Sequence, residues 1–156
     1  MELTLEGLIA GSTVFAGLSE AQLAVIAECA THDHFAIGER LFTHGEPADR
    51  FFLIRSGSVA LEYPAPGSGT RVLETLHARE VAGWSWLFEP YQWQFDGRAV
   101  ELTQVISFDG ARLRAKCDAD HELGYLLMHR FAESIIDRLQ ATRLQLLDVY
   151  GNDHRS

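Results

Sequence analysis

Two histidines and a glutamate lie close together in the first quarter of the chain, at His32, His34 and Glu39. Imidazole and carboxylate groups are common ligands of transition metals, so this trio could hold a catalytic metal ion. Against such a site, both histidines directly follow a segment predicted to be helical, and no second motif supplies a histidine from a later strand. A metalloprotein therefore remains an alternative, and no metal site is predicted.

A second group of reactive side chains, Cys117, Asp118, Asp120 and His121, lies where a long helix is predicted to begin. Aspartates at such places usually accept hydrogen bonds from the free amides of the first turn, and we assign them that role. Cys29 and Cys117 both fall in predicted helices, which favours reduced thiols over a disulfide. Nucleophile elbows, phosphate loops and Cys-x-x-Cys pairs do not occur in the sequence, and no catalytic residue is predicted.

The composition is that of a globular protein with an acidic surface. Its 156 residues are 47% hydrophobic and carry a formal net charge of -9. This length suits a single domain over residues 1–156, and the negative charge disfavours nucleic acid as a partner. No apolar run approaches the ~20 residues that cross a bilayer, and the N-terminus has no basic cluster. A soluble, cytoplasmic protein without a membrane partner is expected.

Three regions with different periodicity must position these side chains. Residues 1–34 contain a capping-box pattern at Ser19 and predict N-terminal helices. Residues 35–108 consist of short alternating apolar stretches between glycines, which predict antiparallel strands, including a hairpin with its loop at residues 64–69. Residues 109–151 predict C-terminal helices, the last of which ends at Gly151.

The segment from Gly38 to Val59, GERLFTHGEPADRFFLIRSGSV, closely resembles the first half of the cyclic-nucleotide-binding domain in the cAMP receptor protein and Fnr (Crp/Fnr) superfamily. Glycines 38, 45 and 57 stand where turns require positive φ or close approach. The likeness covers nearly the whole chain. It implies an antiparallel double-stranded β-roll, mainly β and jelly-roll-like, with N-terminal helices and a long C-terminal dimerisation helix.

The likeness ends where the helix-turn-helix of that superfamily begins. Too few residues follow Gly151 to form such a motif, so this chain is not expected to bind DNA. The resemblance therefore implies a standalone regulatory or sensor domain without enzymatic activity.

In that family, a glutamate after a glycine binds the ribose hydroxyl, and an arginine some ten residues later pairs with the cyclic phosphate. The resemblance places the glycine at Gly83, but Trp84 and Phe95 stand at the two polar positions. Because a buried phosphate without a partner costs several kcal/mol, ordinary cAMP binding is expected to be weak or absent. The candidate pocket residues are Gly83, Trp84, Ser85, Trp86, Leu87, Phe95, Arg98, Ala99 and Thr142.

Several interpretations of this segment remain open. Residues 84–95 include six aromatic residues, which could fill the former pocket, form a site for a flat or apolar ligand, or contact a protein. A bulge could instead bring Arg98 into the place of the lost arginine, giving a true cAMP or cGMP receptor. His32, His34 and Glu39 also resemble the metal motif of cupins. No cofactor is assigned beyond a cyclic nucleotide or another small ligand.

The last predicted helix carries apolar residues at alternating spacings of four and three, which is the seam of a two-stranded coiled coil. The seam consists of Ile135, Leu139, Thr142, Leu146 and Val149. It predicts a homodimer, with packing of this face on the chain's own β-roll as the alternative. Thr142 also matches the threonine that, in the family, contacts adenine across the subunit boundary.

Overall fold

The structure is a computed structural model that describes residues 4–12, 14–65, 67 and 69–153, without the side chains of residues 64, 65 and 142–153. Helices flank a region of eight strands. In chain order the elements are α1 (Leu5–Ala10), α2 (Glu20–Ala27), β1 (Ala30–Phe35), β2 (Arg40–Phe42), β3 (Arg50–Ser56), β4 (Val59–Ala65), β5 (Gly69–Leu76), β6 (Val81–Ala82), a 3₁₀ turn (Ser85–Leu87), β7 (Asp96–Ala99), β8 (Thr103–Asp109), α3 (Gly110–Ala119) and α4 (His121–Asp153).

The strands form two antiparallel sheets of four, and both fit the predicted β-roll. The first sheet has the order β1-β8-β3-β6, and the second has the order β2-β7-β4-β5. The predicted hairpin is present as β4 and β5, but the two strands pair from Val59↔Leu76 to Ala65↔Gly69 and therefore extend into residues 64–69, which the sequence assigns to the loop. Since β2 and β5 lie at the edges of the second sheet, β7 and β4 form its centre, where the candidate arginine Arg98 is located.

Two apolar cores lie on opposite faces of the first sheet, because successive side chains of a strand point to opposite sides. Phe51 and Leu53 of β3 belong to a helix-side core that α1, α2, α3 and α4 cover. Phe52 and Ile54 belong to an interior core between the two sheets. Gly83, a predicted pocket residue, lies against Trp93 of this interior core.

Local capping explains where the helices begin. The Ser19 hydroxyl accepts from the amide of Gln22, and the Gln22 side chain accepts from the amide of Ser19, as the capping box predicts. Asp109 accepts from the amide of Arg112 at the start of α3. Asp120 accepts from the amide of Leu123 at the start of α4, which agrees with the capping role assigned to it.

Two boundaries differ from those predicted. Strand β1 begins at Ala30, within the region 1–34 that the sequence assigns to helices, because residues 30–35 pair in register with β8. This partner is about seventy residues away in the sequence, so local patterns do not reveal it. The helix α4 continues through Gly151 to Asp153, and a glycine costs a helix only about 1 kcal/mol. No helix within the described ranges has both the length and the hydropathy needed to cross a bilayer.

Candidate functional site

Gly83 connects β6 to the 3₁₀ turn and anchors the candidate cassette. Its φ is +100°, in the region that favours glycine. A Cβ atom built there would lie 2.6 Å from the Cζ3 atom of Trp93. Gly83 is therefore required both by the turn and by the close approach of an indole ring.

Trp93 fills the interior beside Gly83. It is 5% exposed and stacks on Phe42, with ring centroids 4.1 Å apart and planes inclined by 15°. Its backbone is fixed by a neighbouring loop, because its amide donates to the carbonyl of Glu46 and its carbonyl accepts from the amide of Gly45. The ring is thus a packed part of the interior core, and the candidate list drawn from the sequence does not include it.

The other aromatic residues of the cassette lie in different environments. Trp86 is fully buried on the helix side of the first sheet and stacks on Phe51, with centroids 4.6 Å apart. Leu87 packs against the same helix-side core. Trp86 and Leu87, both predicted pocket residues, thus belong to a core on the far side of the first sheet from the interior core.

Trp84 and Phe95 border the cassette cleft and are partly exposed. Together with Gly83, Ser85 and four residues absent from the predicted list, they form its wall: Phe42, Leu61, Trp93 and Gln94. The cleft contains about 240 Å³ of empty space, including the part open to solvent, and only about 10 Å³ can hold the centre of a water molecule. None of these eight residues carries a charge.

Arg98 lies on the outer face of the second sheet. A Cβ atom on the preceding Gly97 would meet the Phe42 ring at 2.5 Å, so position 97 faces the interior and position 98 faces away from it. The Arg98 guanidinium donates to both carboxylate oxygens of Glu62, at 2.7 and 3.1 Å. These hydrogen bonds and the carboxylate charge raise the pKa of Arg98. The neighbouring Ala99 is buried and pairs through its backbone with Gly38 and Glu39.

The three residues considered as metal ligands each make different interactions. His32 and His34 are exposed on β1, and Nδ1 of His32 lies 3.3 Å from the guanidinium of Arg55. The carboxylate of Glu39 accepts from the amide of Ala36 and closes a turn. Among the described residues, no three His, Cys, Asp or Glu side chains are grouped closely enough to bind a metal.

Helix α4 packs on the roll by one face and exposes another. Leu123, Leu127 and Phe131 enter the helix-side core. About two turns further on, Arg138 lies over the ring of Trp84 at 5.4 Å and donates to the carbonyl of Val81.

Arg138 also lies 3.9 Å from the Glu74 carboxylate, and burial lowers the pKa of its guanidinium. In the predicted seam, Ile135 is partly buried and Leu139 is 48% exposed. The side chains of Thr142, Leu146 and Val149 lie outside the described residues.

Comparison with known proteins identifies the family. Residues 32–120, more than half of the chain, match the cyclic nucleotide-binding domain. The chain belongs to the cyclic nucleotide-binding domain family. The predicted family and the predicted β-roll are therefore both confirmed.

Individual relatives agree with this assignment. A Geobacter metallireducens protein assigned as a cyclic nucleotide-binding protein is 28% identical, with a TM-score of 0.79, over 88% of this chain and 99% of that chain. The catabolite activator protein of Thermus thermophilus has a TM-score of 0.69 at 23% identity, over 89% of this chain and 63% of that chain, and shows the fold alone. The CRP-like cAMP-activated global transcriptional regulator of Mycobacterium tuberculosis is 24% identical over 149 residues. That match covers 96% of this chain and 65% of the relative's length.

Proposed function

We propose that this chain is a regulatory domain of the cyclic nucleotide-binding family whose interior is filled by its own aromatic side chains, so that it does not bind cAMP in the family's usual way. A regulatory, non-enzymatic role is supported by relatives named as a transcriptional regulator and as a cyclic nucleotide-binding protein. The domain then transmits its signal by contact with a partner.

The packing of Trp93 is the observation that carries this proposal. Ligand pockets for small molecules usually measure about 300–1,000 Å³, far above the ~10 Å³ that a water molecule can enter here. To admit a nucleotide, the indole would have to leave the interior. An aromatic ring buries about 150–250 Å², so its exposure costs roughly 4–6 kcal/mol at about 25 cal/mol per Å². This penalty corresponds to about three to four decades of affinity.

The charges around the cleft support the same conclusion. Trp84 and Phe95 stand where the family's carboxylate and arginine are expected, and no charged residue lines the cleft. Arg138 does approach it over the Trp84 ring, but this guanidinium is already engaged by a backbone carbonyl and by Glu74. A cyclic phosphate placed here would lose its water without gaining a charged partner.

The competing receptor hypothesis depends on Arg98, and calorimetry separates the two. Cyclic AMP and cyclic GMP are titrated into the wild-type chain, Arg98→Gln and the control Arg71→Gln, which removes an exposed arginine of β5. We expect no saturable binding at micromolar nucleotide in any of the three. Low-micromolar binding that Arg98→Gln abolishes and Arg71→Gln retains would overturn the proposal.

A homodimer through α4 is the second part of the proposal. Among the described side chains of this helix, four large apolar ones are 42–70% exposed: Tyr125, Met128, Ile136 and Leu139. Their spacings of three, eight and three place them along one stripe of the helix, away from the face that enters the helix-side core. Burial of such a stripe against a second copy would remove it from water.

Sedimentation measures this association directly. The wild-type chain is expected to be dimeric at tens of micromolar, and Leu139→Glu should dissociate it. Gln140→Glu is the matched control, because it adds the same charge at an exposed neighbouring position. A monomeric wild-type chain, or a Leu139→Glu variant that remains dimeric, contradicts the proposed interface.

A further inference from the structure

A second cleft, in which about 460 Å³ can hold the centre of a water molecule, opens between the end of α1 and the end of β3. It shares no lining residue with the cassette cleft. Its volume lies within the range of small-molecule sites. Ten residues form its wall, and they include Leu8, Leu53, Arg55 and Arg79. Two are arginines and none is acidic, in a chain with a net charge of -9.

Among the described residues, no carboxylate lies within 4.0 Å of the Arg55 or Arg79 guanidinium. In the part of the chain that the structure describes, the arginines with a carboxylate within 4.0 Å are Arg40, Arg98, Arg130 and Arg138. Arg55 instead donates to Nδ1 of His32 at 3.3 Å. This contact orients the guanidinium without removing its charge, because an imidazole carries no negative charge.

Arg79 is held beside Arg55 by the backbone. Its amide donates to the carbonyl of Ile54, and the amide of Ile54 donates to the carbonyl of Glu80. These two bonds fix the turn between β5 and β6 on the residue that precedes Arg55. The pairing of two distant segments therefore brings two arginines to one cleft.

The conformation of Arg79 is a second, independent observation. Its φ is +76°, in the left-handed region where glycine is favoured and a side chain is strained. Strained residues of this kind are concentrated at binding sites, where the side chain is needed in one position.

We propose that this cleft binds a phosphate-bearing small molecule, with the phosphate between Arg55 and Arg79 and the rest of the ligand against Leu8 and Leu53. The planar guanidinium group matches the oxygen geometry of a phosphate, and two of them suit a dianion. The site is independent of the cassette and therefore of the proposed function. Failure of one does not affect the other.

Calorimetry at low ionic strength tests the site with two probes, inorganic phosphate and phenyl phosphate. Saturable binding of the wild-type chain is expected for at least one of them. Tighter binding of phenyl phosphate supports an organic phosphate as the ligand class, and equal binding of the two probes would contradict contact of the ligand with Leu8 and Leu53. If neither probe binds saturably, the proposal is overturned.

Three variants locate the binding. Arg55→Gln and Arg79→Gly should each weaken binding at least about tenfold, which equals about 1.4 kcal/mol. Arg71→Gln removes the same charge outside the cleft and should leave the affinity within twofold of the wild-type value. Thermal melts establish that each variant folds. Unchanged affinity in Arg55→Gln and Arg79→Gly, or an equal loss in Arg71→Gln, would refute the site.

Discussion

Trp93→Ala removes the ring that fills the interior beside Gly83, and its effect can be worked out from the structure. The side chain is 5% exposed and stacks on Phe42 at 4.1 Å. Replacement of a buried tryptophan by alanine lowers the free energy of unfolding by about 3–5 kcal/mol. The cleft beside this ring is partly open to solvent, so water can enter the space, and we expect a value near 3 kcal/mol.

Urea unfolding followed by far-ultraviolet circular dichroism measures this loss without relying on tryptophan fluorescence. Phe88→Ala is the control, because Phe88 is 43% exposed and should lose less than about 1 kcal/mol. A second readout is rescue by indole, which replaces the missing ring. At a concentration ten times its dissociation constant, indole should restore about 1.4 kcal/mol to the variant and nothing to the wild-type chain.

Two results would refute this reasoning. A loss below about 1 kcal/mol in Trp93→Ala would mean that the ring is not a packed part of the interior core. Equal stabilisation of the variant and the wild-type chain by indole would mean that indole binds elsewhere. The first outcome would also remove the main support for a filled pocket.

Three further predictions concern the backbone and a thiol. Gly57 has a φ of +92°, and a Cβ atom there would lie 2.5 Å from the carbonyl oxygen of Leu102, so Gly57→Ala should lower the free energy of unfolding by at least about 2 kcal/mol in urea. Arg79→Gly should leave that free energy unchanged or raise it by up to about 1 kcal/mol, because relief of strain is partly offset by chain entropy. Burial and nearby acids raise the pKa of Cys117 from 9.0 to about 11. In the Cys29→Ala variant, where Cys117 is the remaining cysteine, its reaction with a disulfide reagent at pH 8 should be about 100-fold slower than that of a free thiol. Because the unfolded thiol ionises first, this group's contribution to stability is complete below pH 9 and is lost as the pH rises towards 11.

Each of these three predictions has an outcome that would contradict it. A Gly57→Ala variant as stable as the wild-type chain would place position 57 in a conformation open to any residue. A loss above about 1 kcal/mol in Arg79→Gly would show that the arginine stabilises its turn. Rapid modification of Cys117 at pH 8 would mean that the thiol is ionised in the folded chain.

Features that depend on neighbouring residues could be predicted from the sequence. The capping box at Ser19, the hairpin between Val59 and Leu76 and the turns at Gly45 and Gly57 all follow from side-chain chemistry and backbone freedom within a few residues. The start of β1 could not be predicted in this way. Its hydrogen bonds are made to β8, and nothing in residues 30–35 alone distinguishes them from the end of a helix.

The cassette shows the same division within one short segment. In the sequence, its aromatic residues are close together and form a single candidate group around Trp84 and Phe95. The 3₁₀ turn separates them, because Trp86 enters the helix-side core while Trp93 enters the interior core. The direction of each ring is set by the sheet that passes between them, and the sequence does not record it.

By itself, the sequence determined the family, the order of helices and strands, and the identities of the residues at positions 84 and 95. These depend on covalent order and on local turns, which a linear pattern preserves. Tertiary structure alone decided that Trp93 fills the interior, that Arg98 faces outward to Glu62, and that Arg55 and Arg79 line the same cleft. Each depends on the pairing of segments that are distant in the sequence, and that pairing fixes the face on which a side chain lies.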